Sequence, residues 1–444
     1  NELTDRVPDV GNPWLDAGIV PFSTIAKENS GIPLYWEDRN KWMEWYPSEF
    51  ITESFPGQFK NWFYSLIAMS TVLENSKPFK TVLGFATLLS EDGKPMHKSA
   101  GNMIEFNEGA DKMGVDVMRW MYVRQNPSEN LLFGYKVADQ TRRRFHLKLW
   151  NVYNFFVTYA NLDGWSPMKN SKKSVNKNIL DKWILVRLDS LIKNVRVGLD
   201  NYDAYSASLD VDKFVDDLSN WYIRRSRSRV GPASDSEEDR DSFYNTCYFV
   251  LVNLSKILAP FTPFITEEIY RNLTKEDSIH LTDWPISKDK MEKDELDLLD
   301  QIQKIRDIIE KIHAKRKSEG IPVRQPLRLV TFDTVEVTEF SKELISLAED
   351  ELNVKKLIFN KGKEGIVMDK TQTPEIIEET KLRELVRNIQ DRRKSLNVLI
   401  NERIDVISPW IPDNPQQRNY LIKKTLTNNL TKGEIFSVIK TTKT

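Results

Sequence analysis

The sequence predicts three successive folds. These are an α/β segment over residues 1–136, an all-α bundle over 137–290 and a small α+β domain over 291–444. Three observations carry the division. Pro78–Leu89 is a β-branched and aromatic run ending in a turn. From Val137 onward apolar residues recur at helical spacing. After Trp284-Pro285 the composition changes to charged helices separated by short apolar runs.

The elements follow in order. Phe59–Leu73 reads as a helix, with Trp62, Ile67 and Met69 among its apolar residues. The strand Pro78–Leu89 runs into the turn Ser90–Pro95, and a helix over about Val115–Val123 closes the second half of a βαβ-type unit whose opening strand is not legible. In the bundle, Leu149, Tyr153, Phe156 and Ala160 share one helical face, as do Ile184, Leu188, Leu191, Val195 and Leu199, and then Phe214, Leu218, Trp221 and Tyr222. Phe243–Leu258 is apolar on more than one face and belongs at a bundle centre. Thr262 reads as an N-cap with Pro263 at the first helical position, opening Phe264–Leu273. In the tail, helices are expected at Glu295–Ser318 and Glu378–Lys394, and strands at Leu327–Phe332 and Val354–Phe359. No internal repeat and no low-complexity tract is evident.

Composition excludes several classes. Of 444 residues, 64 are Lys or Arg and 65 Asp or Glu, so overall charge gives no sign of a polyanion partner and local clusters must carry that argument. A single cysteine, Cys247, rules out a disulfide framework and a zinc site on Cys pairs, and four His argue against a His-rich metal site. There is no apolar run of membrane-spanning length, and no secretory signal opens the chain. A protein of a reducing, cytoplasmic compartment is expected.

Two segments could carry chemistry. The loop Gly93-Lys94-Pro95-Met96-His97-Lys98-Ser99-Ala100-Gly101-Asn102 lies between a strand and a helix. Lys and Ser on a Gly-flanked loop can reach phosphate oxygens and stabilise a leaving pyrophosphate; taken alone, the loop reads better as an ordinary surface turn with a solvated Lys. The second segment, Asn220–Arg229, ends an amphipathic helix with Arg224, Arg225, Arg227 and Arg229 crowded beside Trp221 and Tyr222. Such a cluster suits the helix dipole and solvent, and it also suits RNA phosphates and bases. Arg142-Arg143-Arg144 opens the first bundle helix, set either against an RNA acceptor stem or in solvent.

The loop resembles the signature loop of class I aminoacyl-tRNA synthetases, Lys-Met-Ser-Lys-Ser followed by x-Gly-Asn. Met96, Lys98, Ser99, Gly101 and Asn102 match; Pro95 and His97 replace the first Lys and first Ser, and Lys94 stands one place earlier. Trp14–Gly18 resembles the family's Trp-Phe-Asp-Ser-Gly segment. Phe50–Glu53 with Gln58–Phe63 resembles the isoleucyl-tRNA synthetase stretch Glu-Gly-x-Asp-Gln-x-Arg-Gly-Trp-Phe, in which Ser54–Gly57 replaces the region of the Asp. Asn220–Arg229 resembles the Asn-Trp-Tyr-Ile-Arg-Arg-Ser-Arg-x-Arg motif of that family's anticodon-binding domain. Ser278–Pro285, Ile321–Leu327, Glu351–Lys355 and Glu384–Arg393 resemble its downstream segments, in a branch without a zinc module.

The resemblance implies a partial Rossmann-like nucleotide-binding domain, an anticodon-binding bundle and a C-terminal α+β domain. It implies isoleucine–tRNA ligation: ATP activates isoleucine to an adenylate, which is then transferred to the tRNA 3′ end. Lys98 and Ser99 would be catalytic, with ATP held by Lys94, Met96, His97, Lys98 and Ser99 and accompanied by Mg2+, and with no zinc. Glu53, Gln58 and Trp62 would hold isoleucine and adenylate, although Trp62 read alone is a core tryptophan. Arg142, Arg143, Arg224, Arg225, Arg227 and Arg229 would hold tRNA. A monomer is expected. None of the four His falls in the family's His-x-Gly-His pattern, and the chain starts at Asn1. The expectation is therefore the C-terminal part of a longer synthetase, inactive in adenylation alone. The alternatives are a standalone tRNA-binding module, half of a split synthetase, or a valyl-type enzyme.

Overall fold

The computed structural model describes residues 13–26, 30–167, 178–335 and 339–440. The chain divides into two compact units. One comprises Asn1–Leu147, Asn194–Asp212 and Leu258–Thr266; the other comprises Lys148–Lys193, Lys213–Ile257 and Glu267–Thr444. Among the described residues no helix is long and apolar enough to cross a membrane.

The first unit opens its α/β region with strand β1, Ser48–Ser54, which pairs in parallel with β2, Phe79–Phe85. The helix Trp62–Glu74 joins them and buries Phe63, Leu66 and Ser70. It stops at Asn75, whose left-handed φ of 49° ends the helix as Gly or Asn usually does. Glu53 of β1 lies opposite Gly84. A Cβ on Gly84 would come within 2.9 Å of the Phe55 side chain, so glycine is required for the turn after β1 to close over the sheet.

The expected single strand Pro78–Leu89 is in fact two. β2 ends at Phe85, and β3, Leu88–Ser90, pairs in parallel with β4, Leu131–Phe133. The break falls where Ala86 N–H donates to the Pro127 carbonyl and Thr87 N–H to the Asn130 side chain. Long-range partners thus override a continuous apolar pattern. The helix Val115–Val123 forms as expected, and with Phe106–Met113 it buries Met113, Val117, Met118 and Met121 around Phe133 and Ala138.

Thr262 does not cap the next helix. Its hydroxyl is buried without a hydrogen-bond partner, and the carboxylate of Asp116 instead accepts from the N–H groups of Phe264 at 3.3 Å and Ile265 at 2.7 Å. Asp116 thereby caps Pro263–Thr274 from a distant helix, which no local sequence signal could reveal. Burial raises its pKa and the two N–H donors oppose that shift. Asp116→Ala is expected to lower stability by about 1–2 kcal/mol, the usual loss for a removed cap, whereas Thr262→Val should be neutral or better. Urea denaturation of both variants checks this, and a larger loss from the Thr262 change would contradict it.

In the second unit, Phe243, Tyr244, Cys247, Val250 and Leu254 of the helix Glu237–Leu258 are at most 0% exposed, as a bundle-centre helix requires. The tail is not a single α+β domain but two copies of one module, so it contains an internal repeat that the sequence reading missed. The first copy runs from helix Lys293–Ser318 to β5 (Leu329–Thr334), helix Lys342–Leu352, β6 (Leu357–Lys361) and β7 (Gly365–Asp369). The second runs from helix Pro374–Ser395 to β8 (Ile404–Ser408), helix Pro415–Thr425, β9 (Thr427–Lys432) and β10 (Ser437–Lys440). The sheet orders are β6-β5-β7 and β9-β8-β10, each with one parallel and one antiparallel pairing.

The first helices of the copies end alike, on Arg316-Lys317-Ser318 and Arg393-Lys394-Ser395. Gly320 and Asn397 follow at φ 67° and 50°, and Ile321 and Val398 donate back to the carbonyls of Arg316 and Arg393. The second helices end on left-handed Asn353 and Leu426, whose carbonyls accept from Leu327 and Ile404.

Candidate functional site

The loop after β3 is shaped by its own side chains. Gly93, at φ 81°, makes the turn, and Ser90 N–H donates to the Lys94 carbonyl. Asn102 clasps the loop: its Nδ2 donates to the Pro95 carbonyl at 2.9 Å, and its Oδ1 accepts from His97 N–H at 2.9 Å. Met96 packs on the cluster around Met113 and Met118, anchoring one side. Lys98–Ala100 forms one 3-10 turn, closed by Gly101 in the left-handed region. The outcome is a pinned loop that leaves the His97, Lys98 and Ser99 side chains exposed. Lys94 is also exposed and pairs with Asp92 at 3.2 Å. Asn102 was noticed in the sequence as a motif match, but its clasp is visible in three dimensions alone.

Glu53, Gln58 and Trp62 are gathered by one strand–turn–helix. Glu53 is near the C-terminal end of β1, the end at which open parallel sheets bind ligands. Ser54–Gly57 forms no extended loop: Phe55–Gln58 is a single helical turn. Gln58 Oε1 accepts from Trp62 N–H at 3.4 Å, so it sits at the start of the helix that carries Trp62. Trp62 is half-buried, its ring tilted against Phe63. Glu53 Oε1 accepts from Ser54 N–H at 2.7 Å. Among the described residues no hydrogen bond or ion pair joins this group to the Lys98 loop.

The arginine residues are deployed unequally. The helix Ala204–Asp216 continues through a wide turn at Asp217–Ile223 into Arg224–Ser226 and a final 3-10 turn at Arg227–Arg229. Arg229 is buried and grips Asp181 with both Nη atoms at 2.7 Å, and also contacts Asp239. Arg224 and Arg225 meet Glu351 at 2.6 and 3.2 Å. Arg227 is exposed and lines a cavity of 390 Å³. Arg142 donates to the carbonyls of Lys112 and Met113, closing the C-terminal end of another helix, and Arg143 pairs with Asp139 at 2.7 Å while staying exposed. The triplet does not open a helix but occupies a π turn between Tyr135–Thr141 and Leu147–Leu162. Glu351, which holds two of the arginines, was not recognised as their partner from sequence.

The chain is similar to known proteins over most of its length. Residues 1–132 match the family model described as tRNA synthetases class I (I, L, M and V), and residues 181–331 match the anticodon-binding domain of tRNA ligase. The isoleucine–tRNA ligase of Dehalococcoides mccartyi is 34% identical over 460 residues, covering 96% of this chain and 44% of the relative. That of Clostridium tetani is 36% identical over 362 residues, covering 80% of this chain and 33% of the relative. The chain therefore spans less than half the length of the curated relatives it matches. A LeuRS–tRNA–LeuAMS complex from Agrobacterium radiobacter aligns over 87% of this chain and 40% of its own, at TM-score 0.48 and 14% identity.

Proposed function

Because the chain belongs to the class I tRNA synthetases over residues 1–132 and to tRNA-ligase anticodon-binding domains over 181–331, we propose that it serves isoleucine–tRNA ligation, as the part bearing the signature loop and the tRNA-holding domains. The observation that carries the reading is the Asn102-clasped loop, which presents Lys98 and Ser99 to solvent on a chain similar from end to end to isoleucine–tRNA ligases. Lys98 would place a positive charge where the leaving pyrophosphate develops negative charge, and Ser99 would donate a hydrogen bond there. Lys94 would need to leave Asp92 to help, and His97 and Met96 would shape the loop around ATP.

Glu53 and Gln58 would orient the adenylate, and Trp62 would supply apolar surface for isoleucine. One methylene gives on the order of a hundredfold discrimination between isoleucine and valine, so this pocket alone would not set final accuracy. Among the described residues no three His, Cys, Asp or Glu gather as a metal site; Mg2+ would enter on the ATP phosphates, as it commonly does. On the tRNA side, Arg227 is exposed and open to phosphate, and the exposed Arg143 would meet phosphate by leaving Asp139. Arg224 and Arg225 could do so by exchanging Glu351, while Arg229, buried against Asp181, would serve stability and not RNA contact. A cytoplasmic monomer fits this reading.

One feature favours the chain working with a further part. β1–β2 is a two-stranded parallel sheet, and such sheets are ordinarily covered on both faces. Here Phe59, Tyr64, Ile67 and Val82 around one apolar hollow are 57%, 66%, 47% and 43% exposed. The isolated chain should thus bind isoleucine tRNA in preference to valine and leucine tRNAs, yet show no isoleucine-dependent ATP–pyrophosphate exchange above background. Equal binding of all three tRNAs would remove the isoleucine assignment, and exchange by the chain alone would remove the need for a further part.

A further inference from the structure

The two tail modules face the arginine segment with equivalent surfaces of opposite charge. In the first copy Glu351 lies two residues before the helix-ending Asn353, and its 9%-exposed carboxylate takes Arg224 and Arg225. His313, three residues before Arg316, lies 4.0 Å from the same carboxylate. In the second copy the helix-ending residue is Leu426, so the Glu351 position is held by Lys424. Counting back from Arg393, the His313 position is held by Gln390, while Lys394 repeats Lys317.

Where the first copy clamps arginines with a carboxylate, the second presents more positive charge to Arg227. Arg227, Lys394 and Lys424 line the same 390 Å³ cavity, together with Tyr159 and Gln390, and no carboxylate lines it. Its volume lies within the range of about 300–1,000 Å³ usual for ligand sites. Among the described residues none of the three cations makes an ion pair. Asp235, whose carboxyl is held low by Lys423 and to a lesser degree by Lys424, is hydrogen-bonded to Lys423.

The opposite wall is built firmly. Gly231, at φ 77°, donates its N–H to Asp163 at 2.9 Å, and Tyr244 donates to the same oxygen at 2.6 Å. A Cβ on Gly231 would stand 2.9 Å from the Tyr159 ring, so the turn lies directly against that ring.

We propose that this cavity binds a phosphodiester of single-stranded RNA, with the phosphate among Arg227, Lys394 and Lys424 and a neighbouring base against Tyr159. The inference rests on the tRNA-binding reading above and adds the place and the ligand group. Like charges that converge without a counter-ion are unfavourable unless an anion joins them, and a phosphate with two flanking nucleotides supplies both the anion and a stacking surface. The repeat explains how the site arises: one charge reversal, Glu351 against Lys424, turns a clamp for the chain's own arginines into a receptor for a foreign anion.

The test is the salt dependence of affinity for isoleucine tRNA and for a short oligouridylate. It compares the unmodified chain with Lys424→Glu, Lys394→Ala and, as a charge-matched control on the exposed loop between β6 and β7, Lys363→Glu. Lys424→Glu should weaken binding about tenfold or more and flatten the slope of log K against log salt by about 1, as expected for one lost phosphate contact. Lys394→Ala, at an exposed helix end where folding is not at stake, should weaken binding several-fold. The inference is overturned if both variants match Lys363→Glu within about twofold while the unmodified chain binds tRNA, and the tRNA-binding reading then stands. It is also overturned, in favour of an acidic peptide, if polyglutamate displaces the oligouridylate at equal charge concentration. Failure of the unmodified chain to bind any RNA overturns both readings together.

Discussion

Replacing Arg229 with Ala is expected to destabilise the second unit by about 3–5 kcal/mol, the range for removing one partner of a buried ion pair. Asp181 is 0% exposed. Its two oxygens accept from both Nη atoms of Arg229 at 2.7 Å, from the Tyr222 hydroxyl at 2.8 Å and from Ser242 at 2.8 Å. Without Arg229 the carboxylate keeps two neutral donors and loses its counter-charge in a fully buried site. Burial alone would lower the Arg229 pKa, but Asp181 more than reverses this, so the guanidinium stays charged throughout the accessible pH range. Tyr222 is held well above its usual pKa by burial and by Asp181, so it stays a donor.

Lys at 229 should rescue little, because a point charge cannot span both Asp181 oxygens and reach Asp239. The double change Arg229→Met with Asp181→Asn should recover much of the loss, because it removes the uncompensated charge rather than the pair's partner. Urea denaturation of the set measures the coupling, and additive losses would show that the pair is not the unit of stability. Since Arg229 is buried, the folded fraction of these variants should keep its tRNA affinity. A large loss there would return this residue to the RNA-contacting set.

That contrast marks what could be read from sequence. The Arg-rich run was recognisable, and so was the aromatic face behind it, because helical spacing survives translation into structure. The division of labour among its arginines was not, because three of the four are held by distant partners, Asp181 standing 48 positions from Arg229 and Glu351 standing 127 from Arg224. The same limit hid β1: Ser48–Ser54 mixes Glu and Ser into a short run, and it becomes a strand by pairing with β2 across the helix Trp62–Glu74. Asp116 capping a helix that begins at Pro263 is the clearest case, since a local N-cap signal pointed to Thr262. At the signature loop, by contrast, Met96, Lys98, Ser99, Gly101 and Asn102 were legible together, since loop chemistry is written in consecutive residues. The tandem modules were almost legible. Arg-Lys-Ser recurs, followed two places later by a residue at positive φ, but three matching residues are too few to declare a repeat without the backbone.

The repeat itself makes the second large prediction. Arg316 is 0% exposed and donates to the carbonyls of Leu352 at 2.9 Å, Pro322 at 2.7 Å and Gln325 at 2.6 Å. Arg393 repeats this with Thr425 at 3.1 Å and Leu399 at 2.9 Å. In each copy one guanidinium ties the end of the first helix to the end of the second and to the loop leading into the central strand. Burial lowers the pKa of both, so neither charge is held by a counter-ion of comparable strength; carbonyl oxygens do the work. Each orphaned carbonyl is worth about 1–3 kcal/mol, less whatever is regained by no longer burying a cation, so Arg316→Met and Arg393→Met should each lose roughly 3 kcal/mol. Arg316→Met should lose the more, because its bonds are shorter and one more numerous. The two residues share no hydrogen-bond partner, so the double variant should lose the sum. Amide hydrogen exchange gives the sharper readout: Arg316→Met should speed exchange in β5 and β6, and Arg393→Met in β8 and β9, each leaving the other sheet protected. Exchange that rises in both sheets after either change would mean that the copies open as one unit and that the duplication is one of shape without independent stability.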